Sequence, residues 1–439
     1  MFPDLGIVPL SIILFIFLIV ILGSGVWVAV GLGLLGFVAM VLTTDVPIGQ
    51  VLATSVWSAS ASWSLAALPL FIWMGEILFR TRMSEEMFRG LSPWLQWLPG
   101  RLLHTNILGC GIFAAVSGSS AATCATIAKM ALPELKKRDY NESLSLGTLA
   151  GSGTLGLLIP PSIPLVVYAV TANVSVLQLF LGAIIPALVI LALYMGYVIV
   201  WSLLNPKKTP PRDPPLSFVA KLRESARLAP CLLLILGVFI TLVTGVATAT
   251  ECAAWGVTGA LVLAAASKTL TRKMLYDSLM AATRLSCMIM LILAGAAFTT
   301  AAMGYTGIPA ALAEWVKGQN FPPHMLVLSL TLMYIVLGCF VDGISMIVLT
   351  AVIVLPMVKE AGFDLIWFGV YLVIHVEMAQ ITPPVGFNLF VLQNMTGRSL
   401  WTVAKAAFPF FLLLNVAVVI ITAWPELVTY LPKIVFPDS

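Results

Sequence analysis

The chain has 439 residues, 60% of them hydrophobic and only 10% charged, against about 25% charged in a soluble domain. Its mean hydropathy is +1.05. The net charge of +4 is small for this length, and Lys and Arg gather in short stretches between apolar runs, which excludes a soluble enzyme and a basic nucleic-acid binder.

Taking about 20 apolar residues as one crossing, spans are expected at 6–22, 25–43, 64–80, 143–171 (broken) and 178–204, and then at 229–246, 250–267, 285–303, 365–395 (broken) and 406–424. The first apolar run, Leu10 to Leu42, is too long for a cleavable signal and reads as two spans hinged at Gly23-Ser24-Gly25. Each span must satisfy its own backbone in hydrocarbon and no strand pattern is present, so the fold is expected to be all-α. Two further segments, 102–132 and 324–355, are apolar with a polar break, at Ser117–Ser120 and at Asp342-Gly343. Their return arms, Ala121–Leu132 and Ile344–Leu355, have about 12 residues, or about 18 Å of helix against roughly 30 Å of hydrocarbon. Both segments therefore read as re-entrant hairpins.

The chain carries one unit written twice, at a constant shift of 223 residues. Pro99, Pro133, Pro160, Pro161 and Pro186 fall on Pro322, Pro356, Pro383, Pro384 and Pro409, and Gly33 and Gly36 fall on Gly256 and Gly259. Pro214 also falls on Pro437, so six of the sixteen prolines before residue 217 find a partner, where random placement gives about one. The halves are read as 1–204 and 229–439, joined by a basic linker at 205–228.

Charge orients them. Arg80, Arg82, Arg89 and Arg101 precede the first hairpin and Lys136, Lys137 and Arg138 follow it, placing its ends in the cytoplasm. The linker and the 267–284 loop, with Lys268, Arg272, Lys273 and Arg284, belong there too, whereas the 44–63 loop has no basic residue. Glu314, Lys317, Lys359, Glu360 and Asp364 flank the second hairpin, which is expected to open to the other face. Both termini then lie outside and the two halves run oppositely, as an inverted-topology repeat. Residues 83–99 and 307–320 are read either as interfacial helices, from their Trp residues, or as surface loops.

Inverted repeats with broken helices point to a secondary transporter whose site lies near the midplane. The Ser117-Gly118-Ser119-Ser120 hydroxyls and the following N–H groups offer places for a Na⁺ and an anion. The paired prolines of Leu158-Ile159-Pro160-Pro161-Ser162 delete two donors and free carbonyls upstream, in Gly151–Gly156. Asp342-Gly343-Ile344-Ser345 and Thr382-Pro383-Pro384 repeat the design with a carboxylate, expensive at depth unless it meets a cation, so a Na⁺ site is expected at Asp342. Against this, Ser and Gly in membrane helices also serve as packing notches. Glu377 reads equally as functional or as a paired structural group, and His375, two residues away, is not on its face. Glu76 and Arg80 are spaced as an i,i+4 pair, and His104 and His324 are expected at the interface. The six cysteines stand singly in apolar segments and read as packing residues.

Ala115-Val116-Ser117-Gly118-Ser119-Ser120-Ala121-Ala122, Leu155-Gly156-Leu157-Leu158-Ile159-Pro160-Pro161-Ser162-Ile163-Pro164 and Ile381-Thr382-Pro383-Pro384-Val385-Gly386-Phe387-Asn388-Leu389-Phe390 resemble, in this order, the large membrane subunit (DctM type) of TRAP transporters, the tripartite ATP-independent periplasmic family. The resemblance spans essentially the whole chain. It implies an elevator-type secondary transporter of the bacterial inner membrane. Na⁺ is the coupling ion, and the cargo is an organic acid such as a C4-dicarboxylate or sialic acid. A periplasmic substrate-binding protein delivers the acid, and a small four-helix membrane subunit buttresses the permease. By motif, one sodium site would comprise Ser117, Ser119, Ser120, Gly153 and Gly156, and the other Asp342, Gly343, Ser345, Ala379 and Thr382. Substrate would lie near Gly118, Pro161, Ser162, Pro384, Gly386 and Asn388. Two rivals remain: a stand-alone Na⁺-coupled dicarboxylate symporter, and an intramembrane hydrolase using a serine of Ser117–Ser120 with His375 as base.

Overall fold

The computed structural model describes residues 6–61, 63–81, 83–211, 216–226, 228–318 and 323–436. Arg82, Pro214, Pro322 and Pro437, named above for charge or repetition, and Arg212 and Arg227 of the basic linker lie outside the described residues. The first half opens with α1 (Ile7–Gly23), α2 (Val28–Thr43), α3 (Ile48–Ser60), α4 (Trp63–Phe79) and α5 (Met83–Leu95). It continues through α6 (Leu102–Ser117), α7 (Ser120–Lys137), α8 (Glu142–Thr154), a 3-10 turn at Leu155–Leu157, α9 (Ile163–Ala172) and α10 (Val176–Leu204). The linker holds a 3-10 turn, Pro206–Lys208, and α11 (Phe218–Ser225). The second half comprises α12 (Ala229–Val243), α13 (Ala249–Ala266), α14 (Arg272–Thr306), α15 (Ile308–Gly318), α16 (Pro323–Gly338), α17 (Gly343–Glu360), α18 (Leu365–Gln380), α19 (Phe387–Thr396), α20 (Leu400–Ala423) and α21 (Glu426–Val435). No strand occurs among the described residues.

Helix starts recur at the repeat shift because their caps do. Asn141 accepts from Leu144 N at 3.0 Å to start α8, and Asp364, 223 residues on, accepts from Ile366 N at 2.7 Å to start α18. Ser119 and Asp342, likewise 223 apart, cap α7 and α17. The helix pair α7 and α17 also matches in length, 18 residues each.

That length corrects the sequence reading of the return arms. Pro133 and Pro356 lie inside α7 and α17 instead of ending them, so each arm is about 27 Å long, half as long again as expected. Length alone no longer excludes a crossing. Other differences have similar causes. The 44–63 loop contains α3, and the 267–284 loop from Arg272 onward forms the first turns of α14, because polar residues (Gln50, Thr54, Ser55 and Ser58 in α3; Arg272, Lys273, Asp277 and Arg284 in α14) interrupt hydropathy without interrupting helix. Residues 83–95 and 308–318 are helices, so the surface-loop alternative falls. The linker is docked: Trp94 of α5 donates to Ser225 Oγ at 2.6 Å, and its ring lies 5.9 Å from Phe218.

Two groups of helices pack together. In the first, α14 lies along α2, α3 and α4, while α13 lies along α4 and α12. Small residues permit the close crossings: a Cβ on Gly295 would come 2.5 Å from Ala29 O, and Thr299 donates to Leu32 O at 2.7 Å. In the second group, α8 lies among α6, α7 and α20, and α18 among α9, α10, α16 and α17. Among the described residues, five helices are long and apolar enough to cross a membrane alone: α10, α13, α14, α17 and α20. The expected spans at 6–22 and 25–43 form helices of 17 and 16 residues.

Candidate functional site

The site is built where four helix breaks meet. Helix α6 ends on Gly118, whose φ of +56° is a left-handed conformation that a side chain would strain. Ser117 Oγ lies 2.5 Å from Thr123 Oγ1, and Thr123 also donates to the Ser119 carbonyl at 2.8 Å. Gly156, in the turn after α8, covers that carbonyl: a Cβ there would come 2.6 Å from Ser119 O and 2.7 Å from Thr123 Oγ1. Ser117, Ser119 and Gly156 of the expected first sodium set therefore converge, around a hydroxyl that the sequence reading missed. Thr123 stands four residues after Ser119, one helical turn, and that spacing was its only signal.

Ser120 and Gly153 meet elsewhere. Ser120 Oγ donates to Asn388 Oδ1 at 2.7 Å, and Asn388 Nδ2 donates to Ala150 O at 2.9 Å. A Cβ on Gly153 would come 3.1 Å from that Asn388 nitrogen. Asn388, expected beside substrate, is fully buried and ties the first hairpin to both broken helices.

The second break repeats the geometry with different chemistry. Asp342 Oδ2 accepts from Ile344 N at 3.1 Å and from Ser345 N at 3.2 Å. Both bonds land on one oxygen. Gly343 packs directly on the Val376 side chain, and a Cβ on Gly338 would come 2.8 Å from Ala379 Cβ, so the hairpin tip lies against the end of α18. Ser345 is buried and its hydroxyl has no hydrogen-bond partner. Thr382, in the turn after α18, donates back to Met378 O at 2.7 Å. A Cβ on Gly386 would come 2.8 Å from Gln380 O, the carbonyl four residues before Pro384, which has no N–H to give it, and 3.0 Å from Thr382 O, which accepts from Gly386 N at 3.0 Å.

Four expected residues line one cavity: Ser117, Gly118, Pro161 and Ser162 form a polar floor, and Leu68, Phe71 and Ile72 of α4 an apolar wall. Ser162 also caps α9, accepting from Leu165 N at 3.3 Å. Pro384 is exposed and Pro161 half-buried, although they occupy the same repeat position. His375 faces Tyr334 and Tyr371, with Nδ1 2.8 Å from Tyr371 O, so the serine–histidine pair of the hydrolase reading is not formed. Glu377 is fully buried, within interaction range of Thr154 and Tyr194, neither of which the sequence reading singled out as a site residue. His104, expected at the interface, is buried with Nε2 2.7 Å from Pro99 O, whereas His324 is exposed. All six cysteines are free; Cys287 is exposed, so packing does not describe it.

An all-helical membrane protein with paired breaks of this kind has the fold of a transporter. The Alcanivorax borkumensis YdaH transporter matches it with a TM-score of 0.63, over 91% of this chain and 97% of that chain, at 12% identity. Neisseria gonorrhoeae MtrF matches with a TM-score of 0.55 over 85% and 82%, at 11% identity. The chain belongs to the DctM component family of tripartite ATP-independent periplasmic transporters, whose sequence profile matches residues 15–427. The C4-dicarboxylate TRAP transporter large permease protein DctM of Vibrio cholerae is 29% identical over 96% of this chain and 97% of its own length. The Pseudomonas aeruginosa protein of the same name is 30% identical over 92% and 93%. An isethionate TRAP transporter permease, DctMQ of Oleidesulfovibrio alaskensis, is 30% identical over 96% of this chain and 65% of its own length. The chain is thus a multi-pass permease of the TRAP family and not an enzyme.

Proposed function

We propose that this permease couples the uptake of an organic acid anion to Na⁺ entry across the bacterial inner membrane. The observation that carries the reading is the pair of hairpin caps. Ser119 and Asp342 occupy one repeat position and start α7 and α17, each beside a broken helix whose prolines strip N–H groups from the backbone. Ser119 O with the Ser117 and Thr123 hydroxyls supplies one set of oxygens, and Asp342 Oδ1 with the buried Ser345 hydroxyl supplies the other. Hard oxygen donors of this kind suit Na⁺. The cavity under α4, floored by Ser117, Gly118, Pro161 and Ser162, would hold one end of the acid at the positive start of α9.

In this reading the halves insert oppositely, both termini lie outside, and α6–α7 and α16–α17 are re-entrant hairpins. The two hairpins and two broken helices move as a body against the group built on α2, α4, α13 and α14, an elevator. The relatives' names specify C4-dicarboxylates, isethionate and, in Haemophilus influenzae, sialic acid, all acids. The cargo is accordingly a carboxylate or sulfonate, brought by a periplasmic binding protein, with a small membrane subunit beside the permease. The test is uptake into proteoliposomes holding the permease and small subunit, with binding protein and radiolabelled acids outside. Accumulation driven by a Na⁺ gradient and absent with choline is expected. Uptake indifferent to Na⁺ overturns the coupling, and uptake without the binding protein favours the stand-alone symporter.

A further inference from the structure

Thr154 and Glu377 are themselves partners at the 223-residue shift, and both are fully buried where the end of α18 packs on the end of α8 and the turn after it, within reach of each other. Residues related by a two-fold axis meet only on that axis. The contact therefore marks where the repeat axis passes: between the end of α8 and the end of α18, with Gly153 and Gly156 on one side and Ala379 and Thr382 on the other. We infer that Glu377 is a positioning residue that links the two ion sites through this axial contact, an inference that rests on the Na⁺-coupled reading above.

The chemistry at the contact fits a link better than a filler. Glu377 is fully buried, and neither of its oxygens closes a hydrogen bond of ordinary geometry. Tyr194 of α10, also fully buried with a hydroxyl that closes no hydrogen bond of ordinary geometry, lies beside Thr154. Thr154 gives its own hydroxyl proton to Gly151 O at 2.8 Å, one turn back along α8. A buried carboxyl with one hydroxyl in reach and no bond closed is sensitive to small displacements, because a slight slide or turn of either broken helix makes or breaks the contact. Binding at one ion site, by drawing in the end of its helix, thereby alters the geometry of the other helix end. Packing alone would not select a carboxyl here. Every other side chain from Trp367 to Val376 except His375 is apolar or aromatic, and Tyr194 is flanked by Leu193 and Met195.

The axis makes an unusual demand. A carboxyl on the axis is equivalent whichever helix carries it, so exchanging the two residues conserves the contact. The experiment follows Na⁺ stabilisation of the purified permease in lipid nanodiscs by thermal unfolding, with choline keeping ionic strength constant. Wild type is expected to titrate with a Hill coefficient above about 1.5, reflecting interacting sites. Glu377→Ala, Thr154→Val and each half of the exchange, Thr154→Glu or Glu377→Thr, are expected to lower it to about 1. The double exchange Thr154→Glu with Glu377→Thr is expected to restore it. Thr154→Val is isosteric and decides the matter if the Glu377 variants fail to fold. A wild-type chain indifferent to Na⁺ overturns the coupling reading and this inference with it. A cooperative wild type whose slope survives Thr154→Val, or whose double exchange is no better than its halves, overturns the inference alone.

Discussion

Ser119 and Asp342 fill the same repeat position with the same backbone task, and only one of them carries charge. The cap explains why a short acceptor must stand there, since the first N–H groups of α7 and α17 have no partner inside their helices. It does not explain why the second is a carboxylate. Asparagine separates the roles, because it caps about as well as aspartate and has no charge. Asp342→Asn is expected to leave thermal stability almost unchanged while weakening Na⁺ binding at least about 10-fold, equivalent to about 1.4 kcal/mol. Asp342→Ala loses the cap as well and adds about 0.5–2 kcal/mol of destabilisation. Equal Na⁺ affinity in Asp342→Asn and wild type would reduce Asp342 to a cap. Ser120 supplies a second test at this scale. Ser120→Ala leaves Asn388 Oδ1 buried without its donor, a cost of about 1–3 kcal/mol. Because Asn388 holds Ala150 O with its other end, the loss is expected to loosen both broken helices, read as faster hydrogen exchange at 150–157 and 381–388.

Between elements, the decisive contact is the turn after α8 lying on the start of α7. Gly156→Ala places a methyl 2.6 Å from the Ser119 carbonyl, against backbone that cannot swing away. It is expected to cost about 1–3 kcal/mol by overpacking and to abolish Na⁺-dependent uptake, whereas Gly304→Ala, which meets nothing within 4 Å, serves as the silent control. Retained uptake in Gly156→Ala would show that the Ser119 carbonyl is not an ion ligand. The elements themselves were readable to the extent that proline and polar breaks mark them: the shift that pairs Pro160-Pro161 with Pro383-Pro384 also pairs α8 and α9 with α18 and α19. Hydropathy missed α3 and the first turns of α14, since helix propensity continues where apolarity stops. These two stretches are partners at the same shift, so the repetition carried information that composition hid. Thr123 had only its i,i+4 spacing from Ser119 to mark it, and Thr154 and Tyr194 were not legible as site residues, because a hydroxyl in an apolar helix carries no signal until a second helix is laid against it.

At the scale of the whole molecule, orientation is the property on which the mechanism turns, since oppositely inserted halves are what let one site open to either side in turn. The basic residues give it a direction that labelling can check. Arg89 on α5 and Lys137 at the end of α7 are both exposed, as is Lys359 at the end of α17, the element that matches α7 in the other half. Gly90 is a poorer choice than its neighbour, because it is buried and a Cβ there would come 2.7 Å from Leu228. In a background without Cys287, the exposed native thiol, single cysteines at 89 and 137 are expected to react with an impermeant maleimide only from the cytoplasmic side. A cysteine at 359 is expected to react only from outside. The comparison of 137 with 359 is the informative one, because both positions lie in the last turn of helices of equal length, one residue from exact repeat register, in different halves. If both react from the same side, the repeats are inserted in parallel and the alternating-access reading fails, whatever the separate behaviour of the sodium sites.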